Sequence, residues 1–173
     1  MKRYLVVFAI LACTESFAQC KIGKDSESRI REIRQTVHKI NSDTNNLRIV
    51  VKDVTGESEE GGEVKIFYSK DKLSKAILTF YGETGKLVQK CYFLDSMILF
   101  LFERKYHYSV PIYIKNSKVS TVVESRYYFN ERKLIMWIRG NEIMASALYK
   151  TKNTEIQNDL KIVFLNGQSN IKL

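Results

Sequence analysis

The sequence has few of the residues that build catalytic and metal sites. Its 173 residues contain two histidines, three cysteines and one proline. No Cys-x-x-Cys, His-Glu-x-x-His, glycine-rich phosphate loop or serine in a nucleophile-elbow setting occurs in it. The scarcity of proline and the interspersed charges, 27% of the residues beside 45% apolar ones, exclude a disordered chain. We therefore expect one globular domain that holds no metal and no cofactor.

Long apolar runs are also absent. The apolar stretch at residues 4–12 has about nine residues, whereas a membrane-spanning helix needs roughly 20, so no transmembrane segment is expected in the mature chain. Two cations precede this stretch, and small residues lead to Ala18, which is the layout of a secretory signal. We predict a signal peptide over residues 1–18, a mature domain over residues 19–173, and a location in the periplasm or outside the cell. Alternatively, Ile10-Leu11-Ala12-Cys13 resembles a lipoprotein box, which would anchor the protein through a lipid on Cys13.

The chain is basic without any block of consecutive cations. Cleavage after Ala18 would remove two cations and one anion, which lowers the net charge from +9 to +8. A basic exported protein can bind an acidic glycan, an anionic lipid surface or another envelope protein through non-specific electrostatic attraction. The alternative is that the charge only solvates the surface. Specific nucleic-acid binding is not expected.

Cleavage would also leave two cysteines, Cys20 and Cys91. In an oxidising compartment the two can form a disulfide, which on the chain-entropy model contributes up to about 4 kcal/mol. Alternatively, Cys91 is a buried strand cysteine and Cys20 a free thiol.

Two segments carry the helical period. Apolar residues at Ile30, Ile33 and Val37 predict an amphipathic helix over residues 26–41. Near the C-terminus, the possible capping box of Thr154 and Gln157 precedes further apolar residues at helical spacing, which predicts a second helix over residues 154–166.

Most of the chain between the helices has strand character, and a recurring unit organises it. In each unit an aromatic pair ends one strand, a few polar residues turn, and an aliphatic residue starts the next strand. This spacing predicts antiparallel neighbours in a meander over residues 63–139. The only proline, Pro111, should mark an edge or a bend. The four aromatic pairs are Phe67-Tyr68, Phe80-Tyr81, Tyr92-Phe93 and Tyr128-Phe129.

The predicted fold is therefore α+β: one curved antiparallel meander of about five to seven strands with both helices packed on one face. The run "MILFLF" at residues 97–102 is apolar at consecutive positions, so it should be a central strand covered on one side by the helices and on the other by sheet curvature or a partner.

The leader ending in "FAQ", the loop "GESEEGGE" and the segments "FYGETGKLVQKCYF", "RKYHYSVPIY" and "ESRYYFNERKLIMWI" together resemble a group of small exported bacterial proteins of unknown function. The resemblance covers most of residues 20–140. It implies an N-terminal helix with a curved antiparallel sheet, and no activity. The turn pattern is also similar to MORN-like repeats and to antitoxins built from them, although only "YGETGKL" keeps the turn glycines.

One polar patch is a candidate site. Glu103, Lys105 and His107 alternate along one strand, and a later strand has the same alternation; if the two faces coincide, they form a patch with aromatic neighbours. Cross-strand ion pairs on the solvent side would produce the same pattern. The candidate binding residues are Glu103, Tyr106, His107, Tyr108, Glu124, Arg126, Tyr128 and Trp137.

These features favour a non-catalytic protein of the cell envelope that binds a protein, a glycan or a lipid through the open face of its sheet. A second hypothesis is an immunity or inhibitor protein, which the antitoxin-like meander suggests. A third is a small envelope hydrolase that uses His107 with Glu103 or Glu124, which requires those side chains to converge in a concave pocket.

Overall fold

The computed structural model describes residues 24–43, 45, 47–56, 58 and 60–167, so the predicted signal peptide, Cys13 and Cys20 lie outside the described residues. Two α-helices flank one antiparallel sheet, which confirms the α+β class. The elements are α1 (Lys24–Ser42), β1 (Leu47–Val54), β2 (Gly62–Ser69), β3 (Lys72–Gly82), β4 (Gly85–Leu94), β5 (Met97–Tyr108), β6 (Val119–Asn130), β7 (Lys133–Arg139), β8 (Glu142–Ile143), a short 3-10 helix (Ser146–Leu148) and α2 (Tyr149–Gly167).

The sheet is a simple meander in which each strand pairs with the next in the chain, from β1 to β8. It has eight strands where five to seven were predicted, because β1 and the two-residue β8 extend its edges. Successive strands run antiparallel, so the connections alternate between two ends of the sheet. We call the end with the β2–β3, β4–β5 and β6–β7 turns the tight-turn end. The opposite end, with the β3–β4 turn and the β5–β6 loop, is the loop end.

Three of the four predicted aromatic units build the tight-turn end. Each two-residue turn there has positive φ at both residues, as a type I′ hairpin turn requires. The φ angles are 49° and 59° at Lys70-Asp71, 48° and 62° at Asp95-Ser96, and 47° and 66° at Glu131-Arg132. The Phe80-Tyr81 unit instead lies at the loop end. Its turn is closed by Gly85, where a side chain would collide with the Tyr106 carbonyl oxygen.

The aromatic pairs at the tight-turn end also share a shift in strand register. It falls within each pair, at Phe67/Tyr68, Tyr92/Phe93 and Tyr128/Phe129. Neighbouring residues in a strand point to opposite faces, so each pair places one ring on each side of the sheet. The aromatic pairs therefore pack both faces.

The two helices pack on opposite faces, so the prediction that they share one face is wrong. Ile30 and Ile33 of α1 form a core with Tyr128 and residues around it, and we call this side the α1 face. Residues of α2 pack on the other side, the α2 face, around Tyr127 and Cys91. Tyr127 and Tyr128 are consecutive in β6, which alone places the two cores on different sides.

The apolar strand β5 explains this arrangement. Ile98 and Leu101 are buried on the α2 face, while Leu99 is buried on the α1 face with Phe100 packed beside it. A strand that is apolar on both sides must be covered twice. The second cover, which the sequence left to curvature or a partner, is the other helix.

The α2 helix begins earlier than the sequence indicated. The chain enters it at Tyr149 directly from the 3-10 helix, so Thr154 lies inside α2 and not at its start. The Thr154 hydroxyl donates to the Lys150 carbonyl oxygen one turn back (3.2 Å) instead of capping the helix.

Candidate functional site

The register of β5 and β6 separates the predicted polar patch into two halves. Arg104 lies opposite Glu124, while Glu103 lies opposite Ser125. Directly opposite residues share a face, so Glu103 and His107 are on the α2 face and Glu124 is on the α1 face. The expected coincidence of the two faces is not found.

The remaining predicted residues are also divided. Tyr106 and Arg126 lie on the α1 face, and Tyr128 on that face is only 3% exposed. Trp137 lies on the α2 face, where its ring stacks on Tyr127 with centroids 5.5 Å apart. Tyr108 follows a register shift at the end of β5, where it pairs with Val119. A ligand on either face would reach only some of these eight residues.

The geometry does not assemble the predicted hydrolase pair. Glu124 is on the other side of the sheet from His107. Glu103 shares the face of His107, but four residues along a strand correspond to about 13 Å. Glu103 is instead held by Tyr127, whose hydroxyl donates to Oε1 (3.1 Å), and by Gln89, whose Nε2 donates to Oε2 (3.2 Å). Among the described residues, no cluster of three His, Cys, Asp or Glu side chains could hold a metal ion.

A charged cluster on the α1 face surrounds the ring of Phe102. The guanidinium carbons of Arg104 and Arg126 lie 5.3 and 5.8 Å from the ring centroid. Glu124 fixes both, since its Oε1 accepts from Arg104 Nε (2.9 Å) and its Oε2 from Arg126 Nη2 (3.2 Å). Hydrogen bonds to Tyr106 and to Glu124 raise the pKa of Arg104, so this side chain stays charged. Two cations thus share one carboxylate.

The cluster continues toward the loop end, because α1 covers only the part of this face near the tight turns. Lys86 lies opposite Tyr106, with its Nζ atom 4.8 Å from the ring centroid. Beyond them Tyr81 and Val122 are 43% and 44% exposed. The uncovered part of the α1 face therefore alternates aromatic and cationic side chains.

The β5–β6 loop, residues 109–118, lies at the loop end of the sheet against the β3–β4 turn and has an apolar tip. Ile112, Tyr113 and Ile114 are 57%, 68% and 45% exposed, and Val110 is 38% exposed. We call these four residues the apolar tip. Such a run of consecutive exposed apolar residues is unusual on a monomer surface and is typical of an interaction site.

Hydrogen bonds close the loop and connect it to the neighbouring turn. Its ends are joined by Ser109 N donating to Lys118 O (2.8 Å), and the Ser117 hydroxyl donates to Val110 O (2.9 Å). The Ile112 amide donates to the Glu83 carbonyl oxygen in the β3–β4 turn (2.8 Å). Pro111 is in this loop, which confirms the predicted bend. The loop is therefore supported by its own hydrogen bonds while the apolar tip stays exposed to solvent.

The sequence reading missed the apolar tip. "VPIYI" has the composition of a strand, and only the structure shows that no element covers it. The signal that could have found it is Pro111, the second residue of this apolar run, because proline lacks the amide that pairing with a strand on each side would need.

No known protein family, curated protein or solved structure matches the chain. Within the described part of the chain, neither helix has the length and apolarity that crossing a membrane would need.

Proposed function

We propose that this protein is a non-catalytic, exported protein of the cell envelope that binds an anionic lipid surface through its loop end. The observation that carries the proposal is the apolar tip, whose central residue Tyr113 is 68% exposed and stands beside an uncovered cationic face. Export is supported by residues 1–18, which have the three-part layout of a secretory signal.

The apolar tip has the chemistry of a shallow membrane anchor. Isoleucine side chains gain free energy on leaving water, about 1 kcal/mol each when half of the side chain is transferred. A tyrosine between them suits the interface, because its ring is apolar and its hydroxyl stays hydrated. Ile112 and Ile114 on either side of Tyr113 therefore favour insertion to the depth of the headgroups.

Cations lie near the apolar tip, together with one exposed acidic residue, Glu83, in the β3–β4 turn that the loop contacts. Lys115 and Lys118 are exposed within the loop itself, and Lys105 is exposed on β5. With Lys86 on the α1 face, four lysines lie at this end of the sheet, each contributing about 1 kcal/mol next to an anionic bilayer. The side chains of Glu60 and Glu63 are near the β1–β2 connection. Strands are spaced about 4.8 Å apart, so β2 is roughly 14 Å from β5 and these carboxylates do not face the tip.

The combined contributions are modest. Part of the roughly 6 kcal/mol from the tip and the lysines is lost to repulsion of the Glu83 carboxylate and to restricting the protein to the surface, so binding should be reversible and sensitive to salt.

Vesicle co-sedimentation tests the proposal. We expect binding to vesicles of phosphatidylcholine with phosphatidylglycerol at low salt, and weak binding to phosphatidylcholine alone. Ile112→Ser with Ile114→Ser should reduce binding about tenfold or more. The matched control is Leu148→Ser with Leu165→Ser, which changes two residues that are 46% and 74% exposed elsewhere on the surface.

Charge is tested separately. Lys115→Gln with Lys118→Gln should weaken binding to the anionic vesicles, and Lys133→Gln with Lys150→Gln, an equal change of charge away from the loop end, should not. The proposal is wrong if anionic vesicles are not bound at low salt, or if the tip variant binds as well as its control. Binding to an acidic polysaccharide without binding to vesicles would indicate a glycan partner instead.

A further inference from the structure

A second candidate site lies at the tight-turn end, on the α2 face. A cavity of about 400 Å³ opens there between α2 and the β4–β5 and β6–β7 turns. This volume is within the range of small-molecule sites, roughly 300–1,000 Å³. The lining has an apolar floor of Phe93, Ile98, Leu160 and Phe164 and a polar rim of Ser96, Arg132, Gln157 and Lys161.

Regular features of the sequence build this cavity. Gln157, Leu160, Lys161 and Phe164 have the spacing of one helix face, so α2 presents both floor and rim on the same side. Ser96 and Arg132 hold equivalent second positions of two type I′ turns. At the floor, the rings of Phe93 and Phe164 meet edge to face with centroids 6.0 Å apart.

The rim has an unused hydrogen-bond donor. Gln157 Nε2 is buried and donates to no described residue. Leaving a buried donor unpaired is unfavourable, and buried polar atoms in native proteins are nearly always paired. Neither Arg132 nor Lys161 forms an ion pair with a described residue. The rim therefore offers two cations to an acceptor from outside the fold, and rotation of the Gln157 side chain would bring its unpaired amide to the same acceptor.

A comparable cavity on the other side of the same end lacks this feature. About 360 Å³ is enclosed between the end of α1 and the first strands. Four of its polar side chains are paired with one another, Ser69 with Asp43 (3.1 Å) and Lys72 with Asp95 (3.4 Å), and the hydroxyls of Thr36 and Ser74 donate to backbone carbonyl oxygens. The unpaired donor distinguishes the cavity beneath α2.

We infer that the cavity beneath α2 binds a small amphipathic anion, with a carboxylate or phosphate at the rim and a short hydrocarbon chain on the apolar floor. Arg132 and Lys161 supply the charge, and Gln157 Nε2 donates to an oxygen of the anion. The apolar chain lies against Phe93, Leu160 and Phe164. This site is at the opposite end of the sheet from the apolar tip and does not depend on membrane binding.

Calorimetric titration with octanoate tests the inference, with octanol as the uncharged ligand of equal length and acetate as the anion without a chain. We expect octanoate to bind more tightly than either. Arg132→Asn with Lys161→Gln should weaken octanoate binding about tenfold or more and leave octanol binding nearly unchanged. Asparagine at position 132 tolerates the positive φ of 66° there, so the turn is kept.

The matched control is Lys70→Asn with Lys150→Gln. It removes the same charge, and it also places an asparagine at a positive-φ turn position, with φ of 49°. The side-chain amide resonance of Gln157 supplies a second readout, which should shift with octanoate and not with acetate. The Ile112→Ser and Ile114→Ser variant should bind octanoate normally, which separates this site from the lipid-binding proposal.

Three results would overturn the inference: no octanoate binding, equal binding of octanoate and octanol, or a rim variant that binds octanoate as tightly as the control. If the rim variant unfolds below room temperature, Gln157→Leu replaces it. That variant should fold at least as stably as the parent, because it removes the unpaired donor, and should still lose affinity for octanoate.

Discussion

Gln89 and Asp159 connect the middle of the sheet to α2, because Gln89 Nε2 donates to Asp159 Oδ2 over 3.1 Å. The same nitrogen also donates to Glu103 Oε2 (3.2 Å), so one amide bridges two carboxylates. Gln89 is only 2% exposed. The interface between α2 and the sheet therefore includes a polar contact within a mainly apolar layer.

This arrangement makes the interface between α2 and the sheet sensitive to pH. Burial raises the pKa of Asp159, and the nearby Glu103 and Glu155 add to the increase, while the Gln89 hydrogen bond and the Lys152 ammonium oppose it. The pKa of Asp159 is higher in the folded than in the unfolded protein. Its contribution to the free energy of unfolding is therefore fully present below the unfolded pKa of about 3.9 and is lost as the pH rises through the folded pKa. At neutral pH the charged Asp159 thus lowers stability.

We predict that Asp159→Asn raises the free energy of unfolding at neutral pH by up to about 1 kcal/mol, a figure reduced for the partial exposure of the site. The asparagine oxygen can still accept from Gln89, and its amide can donate to Glu103. Thermal unfolding at neutral pH and at about pH 4 measures the effect, and the parent and the variant should converge at the lower pH.

Glu142→Gln is the control, since Glu142 is an exposed carboxylate on β8. It should change the melting temperature little at either pH. A lower melting temperature for Asp159→Asn at neutral pH would contradict the prediction, because it would show that the charged carboxylate stabilises the interface between α2 and the sheet.

Local patterns predict the elements of this fold well. The spacing of Ile30, Ile33 and Val37 is enough to place α1, and the first two are buried in the structure. The aromatic units predict the hairpins, because turn chemistry acts over only a few residues. These features depend on residues that are close in the chain, so they can be predicted from the sequence.

Which face of the sheet a given strand residue shares with residues of the neighbouring strand cannot be predicted in the same way. A change of one residue in register moves every side chain of a strand to the other face. Glu103 pairs with Ser125, one residue away from Glu124, within a continuous stretch of the β5–β6 register. No local signal in the sequence fixes the register of two strands joined by a ten-residue loop, so it leaves open whether Glu103 meets Glu124 or its neighbour. The apolar tip was missed for a related reason, since exposure depends on which elements pack nearby.

The type I′ turns lead to a second prediction. Lys70 and Asp71 both have positive φ, a conformation that asparagine and glycine adopt more easily. Lys70→Asn with Asp71→Gly should therefore raise the free energy of unfolding by about 0.5–1 kcal/mol, measured by urea denaturation.

The β3–β4 turn supplies the matched control for this change. Neither Glu83 nor Thr84 has positive φ. The same pair of residues introduced there, as Glu83→Asn with Thr84→Gly, should lower stability because glycine adds freedom to the unfolded chain. Equal effects at the two turns would contradict the assignment of distinct turn types.

The Cys91 thiol leads to the third prediction. Its side chain is 0% exposed on the α2 face, in the layer that Leu101 and Ala76 share. Burial raises its pKa, and Asp159 and Glu103 add to the increase, so little reactive thiolate forms. The predicted disulfide with Cys20 remains a prediction, because Cys20 lies outside the described residues.

We predict that Cys91 in the reduced, folded protein reacts with iodoacetamide at least about a hundredfold more slowly than in the unfolded protein, because modification requires the core to open. Cys13→Ser with Cys20→Ser leaves Cys91 as the only thiol, and intact mass against time gives the rate. Rapid modification of the folded protein would contradict the packing of α2 over β4. Alkylation of the unreduced Cys13→Ser variant in denaturant tests the disulfide separately: a Cys20–Cys91 bridge protects both remaining thiols there, whereas two free cysteines add two labels.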